Sequence, residues 1–408
     1  MSRTLFTNGR IFDGTGVPPA EGDIVVEDGR IVAVGRGLDG DTAVDLEGKG
    51  VLPGLFDCHV HVQFTNIDMW NLVQQPFSLQ FYEAARNLAA TLAAGITTVR
   101  DAGGADLGTK TALDAGWIPG PRMQISLTML SQTGGHGDGW MASGQHVDLM
   151  SPHPGRPSGI VDGPDEMRRK VRELVRAGAD VIKVATSGGV LSPRDDPRHA
   201  HFTLEELEVL VAEAAGAGIW VMAHAQGTEG IKNAVRAGIR SIEHGIYLDD
   251  EAIDLMLQRG TYLVPTLVAP RGVVEAAEAG MAIPEASLRK AKEVVEIHRD
   301  AFRRAVDAGV KIAMGTDSGV TPHGRNLAEL PLMAAGGMTP AAVLKATTLD
   351  AAALMGLEGD SGSLEPGKRA DLVVVDGDPL DLDGIAAGVA AVYQAGRLVS
   401  GGPGEPAA

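Results

Sequence analysis

The sequence predicts an α/β chain: a (β/α)8 barrel of the TIM type with a small β-sandwich domain formed from both termini. Three observations predict it. From about residue 52, short β runs alternate with helical stretches, the texture of parallel βαβ units. Eight such units occupy roughly 300 residues, within the usual size of such a barrel. The two chain ends share a different texture of short strands and tight turns, and neither can bury a sheet face alone. The expected division gives residues 1–53 and 360–408 to the β domain and residues 54–359 to the barrel.

Taken in order, the first fifty residues carry Asn8-Gly9 and Asp28-Gly29 between apolar runs. Both pairs read as hairpin turns, because such turns need positive φ at residues that tolerate it. The C-terminal stretches 371–377 and 391–399 repeat this pattern. Eight candidate barrel strands follow the first segment: 51–61, 96–101, 122–128, 180–185, 219–225, 240–244, 261–267 and 310–317. The helix predicted after Asp162 has Pro164 near its start and Gly178 at its end, with Met167, Val171, Leu174 and Val175 as one apolar stripe. Thr203 and Glu206 form a capping box that opens the next helix. Between residues 129 and 163 a long Gly/Pro-rich insertion breaks the rhythm. It follows strand 3, so it is expected over the C-terminal mouth of the barrel, either as a substrate lid or as a mobile surface insertion.

Composition narrows the partners. The net charge of −18 argues against nucleic acid and an anionic membrane. The single cysteine, Cys58, excludes an internal disulfide and reads as a small buried hydrophobe. The first residues hold no apolar signal segment, and no apolar run is long enough to span a bilayer, so a cytoplasmic location is expected.

The chemistry lies at the strand ends. In strand 1, alternation puts Asp57, His59 and His61 on one face, with the two imidazoles about 7 Å apart. A lone His-x-His is equally a pair of polar residues on a half-exposed strand. Strand 4 holds Lys183 in an apolar run, where an unpaired ammonium costs several kcal/mol. Strands 5, 6 and 8 end in His224, His244 and Asp317. Singly, each has a plain alternative: a lysine paired to a buried carboxylate, hydrogen-bonded core histidines, a helix cap. Jointly they meet where barrel strands end, which is where barrel enzymes build active sites. A metal centre explains the set with one cause.

In order, His59-Val-His61, Lys183, His224, His244 and Asp317 resemble the ligand pattern of the amidohydrolase superfamily of metal-dependent hydrolases. The run from Gly362 to Val375 resembles that superfamily's return to its β-sandwich, so the resemblance spans essentially the whole chain. The motifs at 131–138 and 183–193 resemble the branch near imidazolonepropionase, which contains Xaa-Pro dipeptidases, related carboxypeptidases and ochratoxin-hydrolysing amidases.

The resemblance implies two divalent metal ions, zinc being the expected one, and a CO2-derived carbamate on Lys183 that bridges them. His59, His61 and Asp317 would hold one ion, His224 and His244 the other. It implies a metal-bound hydroxide as nucleophile, with Asp317 as general acid/base and His136 helping to stabilise the oxyanion. Deaminases of the superfamily carry glutamate three residues after the strand-5 histidine; Gly227 stands here, which argues against deamination. The dipeptidase branch often carries tyrosine two residues after it; here Gln226 either hydrogen-bonds a substrate carbonyl or is a neutral wall residue. Arg194, His199 and His201 are candidates for a substrate carboxylate or else solvated loop charges.

The expected activity is hydrolysis of an amide or peptide C–N bond in a small molecule, an N-acyl amino acid or an Xaa-Pro-type dipeptide. One rival is a mononuclear cyclic-amide hydrolase of the imidazolonepropionase type, with Lys183 unmodified. A non-catalytic scaffold is a further rival, but such relatives lose ligands and all six are present here. A phosphate-binding barrel is disfavoured because no Gly-rich loop opens a helix near strands 7 and 8. A homo-oligomer is expected from the resemblance.

Overall fold

The computed structural model describes residues 2–402 apart from 149 and 193. Leu149 of the insertion, Pro193 of the 183–193 motif and the last six residues of the expected β domain lie outside the described residues.

Both termini contribute to one eight-stranded sheet. Its order is Arg397–Gly401, Val389–Gln394, Leu372–Val375, Gly50–Pro53, Thr4–Ile11, Ala20–Glu27 and Arg30–Gly35, with Thr42–Asp45 also paired to Thr4–Ile11. The sheet has its own apolar cluster, including Phe6, Ile24, Ile31, Val51, Leu372 and Tyr393. Apolar side chains from both chain ends therefore bury one another, which is why neither texture ends in a free-standing hairpin.

One turn expectation is corrected. Asp28 and Gly29, at φ 50° and 75°, make the predicted two-residue hairpin between Ala20–Glu27 and Arg30–Gly35. Asn8-Gly9 does not turn the chain. It lies inside the strand Thr4–Ile11, where the register slips between Phe6 and Gly9 and Asn8 sits at φ 59°. A bulge and a tight turn both require a left-handed residue, so the dipeptide alone could not separate them. A Cβ on Gly9 would meet Leu46 Cδ1 at 2.8 Å, so a larger residue there would have to displace that side chain.

Each of the eight predicted inner strands has a counterpart with parallel neighbours, but the first, expected over 51–61, is split at Gly54: Gly50–Pro53 joins the terminal sheet and only Leu55–Val60 the inner strands. Leu55–Val60, Ile96–Asp101 and Arg122–Ile125 make one run. Met129–Leu130, Val181–Ala185, Trp220–Ala225, Ser241–His244, Tyr262–Val264 and Lys311–Ile312 make the other. The third predicted strand is interrupted, because Leu127 takes φ 68° between Arg122–Ile125 and Met129–Leu130. Backbone bonds join the ends of the two runs: Asp180 N to Ile125 O at 2.8 Å on one side, Cys58 N to Met314 O at 2.9 Å and Asp317 N to His59 O at 2.7 Å on the other.

The helix punctuation follows the sequence. Pro164–Ala177 ends at Gly178 with φ 98°, and both capping-box bonds of Thr203 and Glu206 are present. Cys58 is fully buried, as expected, and burial pushes its thiol up to about 12. No described helix is long and apolar enough to cross a membrane.

Candidate active site

The ends of the parallel strands bring the predicted residues together. His59 Nε2 and His61 Nε2 lie 3.4 and 3.2 Å from the same Asp317 oxygen, Oδ1. Lys183 Nζ is 3.3 Å from His59 Nε2. The rings of His59 and His244 are 5.1 Å apart, and those of His224 and His244 are 4.7 Å apart. His59, His244 and Asp317 offer ligand atoms within 4.8 Å of one another. That triple cuts across the two sets expected from the sequence, in which His59 and His244 belong to different ions.

The second nitrogen of each imidazole is already engaged. His59 Nδ1 meets Glu243 Oε2 at 2.8 Å, His61 Nδ1 meets Gly103 O at 2.8 Å, and His244 Nδ1 meets Thr266 Oγ1 at 2.7 Å. His224 uses its other nitrogen, Nε2, on Gly188 O at 3.0 Å. Histidines that hold a metal are normally oriented in this way, with one nitrogen fixed by an outer partner and the other left for the ion. Together with the carboxylate, the donor set fits a divalent metal ion.

Electrostatics follow from burial. Lys183 is fully buried and its ammonium is pushed down to about 8, because desolvation outweighs the attraction of Glu243 and Asp317. Burial holds His224 and His244 well below the ordinary imidazole range; neighbouring charges add to this at His224, whereas at His244 the attraction of Asp317 opposes it without prevailing. Burial also works against the charged forms of His61 and Asp317, but their mutual contact wins. His61 is raised, and Asp317, paired with both His59 and His61, is well below the usual carboxylate range.

Beside this centre is a cavity of about 400 Å³. Its walls include Val190, Ile246, Pro270, Val273 and Ile283, together with much of the 129–163 insertion. The three histidines of the insertion take different positions. His136 stacks on His224 with ring centroids 4.1 Å apart and planes 17° apart, and its Nδ1 meets Ser192 Oγ at 2.7 Å. His146 faces Asp138 and Asp148, and His153 packs against Phe77 and Phe81.

Gln226 lines the cavity, 5% exposed, and its Oε1 has no partner among the described residues. Arg194 lies at the rim, exposed, with its guanidinium 5.0 Å over the Trp140 ring. His199 and His201 are not among the described residues that line the cavity, and His201 is buried elsewhere.

Several supporting residues escaped the sequence reading. Glu243, fully buried, links His59 to Arg100, whose Nη2 donates to Glu243 Oε1 at 2.9 Å. Burial pushes that carboxyl up, but Arg100 and His59 outweigh it and hold it at about 2. A carboxylate inside the buried run Ser241–His244 is the same kind of signal as Lys183 in its strand. Ser192 and Asp195, the partners of His136, gave no comparable signal because they sit in a polar loop.

Known proteins share the sequence pattern and the fold of this chain. The pattern of the amidohydrolase family matches residues 51–399. Ochratoxinase of Aspergillus niger is 36% identical over 400 residues, covering 93% of this chain and 82% of its own. Imidazolonepropionase of Geobacillus kaustophilus is 26% identical, covering 86% of this chain and 83% of its own. The crystal structure of a Xaa-Pro dipeptidase with methionine bound in its active site superposes with TM-score 0.89 at 36% identity, over 98% of this chain and 100% of that one. With a family match over most of its length and six polar groups gathered at the strand ends, this chain is a member of the amidohydrolase family, a hydrolase of carbon–nitrogen bonds.

Proposed function

We propose that this enzyme cleaves an exocyclic amide or peptide-like C–N bond of a small molecule, an N-acyl amino acid or Xaa-Pro-type dipeptide being the leading class. One observation carries the proposal: His59, His61, Lys183 and Asp317 converge within 3.4 Å contacts beside a cavity of about 400 Å³. That volume suits a small-molecule substrate. The similarity to an ochratoxinase and a Xaa-Pro dipeptidase supports the same class.

The proposed site would take two divalent ions, zinc by preference: His59, His61 and Asp317 would hold one, His224 and His244 the other, and Lys183 would contribute to both as a CO2-derived carbamate. Such ions supply Lewis acidity and an acidified water when bound. The protein supplies the rest. Asp317 takes up a proton on its carboxylate and returns it to the departing nitrogen. His136, held over His224, donates to the substrate's carbonyl oxygen as charge develops there. Gln226, whose Oε1 has no partner among the described residues, offers its amide to the substrate backbone, and Arg194 meets a substrate carboxylate at the rim.

We take the two parallel strand runs as one closed (β/α)8 barrel spanning residues 54–359, and the terminal sheet, from residues 1–53 and 360–408, as folded into a sandwich. The enzyme is further proposed to be a cytoplasmic homo-oligomer.

One observation favours a mononuclear cyclic-amide hydrolase instead: His59, His244 and Asp317 together suit a single ion. Metal content per chain separates the readings, measured on the protein and on Lys183→Ala alongside hydrolysis of a panel of N-acyl amino acids and Xaa-Pro dipeptides. About two ions, falling to one or fewer in the mutant with loss of amidase activity, is the expected outcome. One ion in both selects the mononuclear reading. Hydrolysis of none of the panel after reconstitution with zinc and bicarbonate overturns the substrate class.

A further inference from the structure

One face of the helix Glu285–Ala308 is turned to the active-site loops. Ser287, Lys290, Ala291, Val294 and His298 recur at helical spacing, and all are buried. Ser287 Oγ donates to Leu191 O at 3.1 Å. Lys290 Nζ donates to the carbonyls of Gly189, Ser192 and Asp195 at 2.9, 2.7 and 2.6 Å, and lies 3.4 Å from Asp195 Oδ1. Further along the same face, His298 Nε2 donates to His244 O at 2.9 Å.

A lysine ammonium has three donors, and here the loop at 189–195 takes all of them. That loop carries the two side chains that face His136 Nδ1: Ser192 Oγ at 2.7 Å and Asp195 Oδ2 at 3.5 Å. Burial pushes the Asp195 carboxyl up, but His136, Ser192 and Lys290 together hold it at about 2, so it faces His136 as an anion. Lys290 is not among the residues lining the cavity, and the proposed reaction does not use it. Its removal would leave three carbonyls without their shared donor at once.

We propose that Lys290 is a positioning residue that holds the 189–195 loop so that Ser192 and Asp195 keep the His136 ring over His224. Only the kinetic arm of the test rests on the reading of His136 as a catalytic group.

The first arm needs no substrate. Carbethoxylation of His136 by diethyl pyrocarbonate, mapped by peptide mass, reads how well that ring is held in the full chain. Lys290→Met is expected to raise the rate roughly ten-fold, whereas Lys292→Met, an exposed neighbour on the same helix, leaves it within about two-fold. In the kinetic arm, kcat of Lys290→Met falls toward that of His136→Ala. The double variant is then no slower than His136→Ala alone, at unchanged metal content, because one function is removed only once. An unchanged carbethoxylation rate in folded Lys290→Met, or losses that multiply in the double variant, overturns the proposal. If Lys290→Met does not fold, Ser287→Ala removes a single loop bond from the same face and should speed modification about three-fold; no change there overturns the proposal equally. If the wild type hydrolyses none of the substrates, the functional reading fails and the carbethoxylation arm still decides the role of Lys290.

Discussion

At the scale of single residues, the site is built on backbone that ordinary side chains avoid. His244, Thr266 and Asp317 sit at φ 72°, 52° and 60°, each where a parallel strand gives way to its loop. Left-handed residues other than glycine cost energy and persist only where surroundings over-determine them. The surroundings here are specific: His298 holds the His244 carbonyl, and Asp57, fully buried, accepts from both the amide and the hydroxyl of Thr316 beside Asp317. Glu243 plays the matching part for His59. Its carboxyl lies at about 2 in the folded chain against an ordinary value of 4.5, so its contribution to stability is fully present above 4.5 and is lost as pH falls from there to about 2. Glu243→Gln should therefore unfold at lower urea concentration at neutral pH and show a flatter decline across that acid window. It should also bind zinc ~10–100-fold more weakly in chelator competition, as expected when an outer partner of a ligand is lost. A wild-type slope and wild-type zinc affinity would show that Glu243 does not orient His59.

At the scale of elements, the connections matter more than the strands. The insertion at 129–163 is anchored by Arg156, only 2% exposed, which donates to Gln63 Oε1 and Gly104 O at 2.6 Å each. A buried arginine in a Gly/Pro-rich stretch has no periodicity to announce it, so the sequence reading passed over it. The Gly188-Gly189 pair is explained by close approach: a Cβ on Gly189 would lie 2.1 Å from His136 Cε1, and one on Gly188 would lie 2.2 Å from Asp196 O. Gly189→Ala should displace His136 while leaving the fold intact; on the role proposed for His136, kcat falls on the order of 10²-fold, the usual cost of losing an oxyanion donor. Steady-state kinetics with circular dichroism as control checks this, and an unaltered kcat would remove His136 from the reaction. The capping box at Thr203 and the Pro164-to-Gly178 helix were legible because their signals are local. The Asn8-Gly9 bulge was misread because its signal is local too, while turn or bulge is decided by the strand it pairs with.

At the scale of the whole molecule, the terminal sheet is a structure that neither end makes alone. Gly50–Pro53 lies between Leu372–Val375 and Thr4–Ile11, so a strand from the C-terminal part completes the N-terminal one. Asp371, 5% exposed, pairs with Arg122 and accepts from Ala395 N at 2.9 Å, which ties the sheet to the inner strands. A chain cut after residue 359 would uncover Val51 and Leu52, both fully buried, along an unpaired strand edge. Such a chain is expected to elute as aggregate in size-exclusion chromatography, and a monodisperse, folded product would refute the interdependence of the two ends. By itself the sequence determined the order of the parallel strands, the pairing of the two ends in one β unit, and the six polar residues that these strands and their ends bring together. These are read from periodicity and from residues too costly to bury without purpose. Only the tertiary structure decided which nitrogen of each histidine is engaged, that Glu243 and Arg100 stand behind His59, and that a lysine on the helix Glu285–Ala308 holds the loop facing His136. Those contacts join residues far apart in the chain, and no local pattern encodes a distance that folding alone sets.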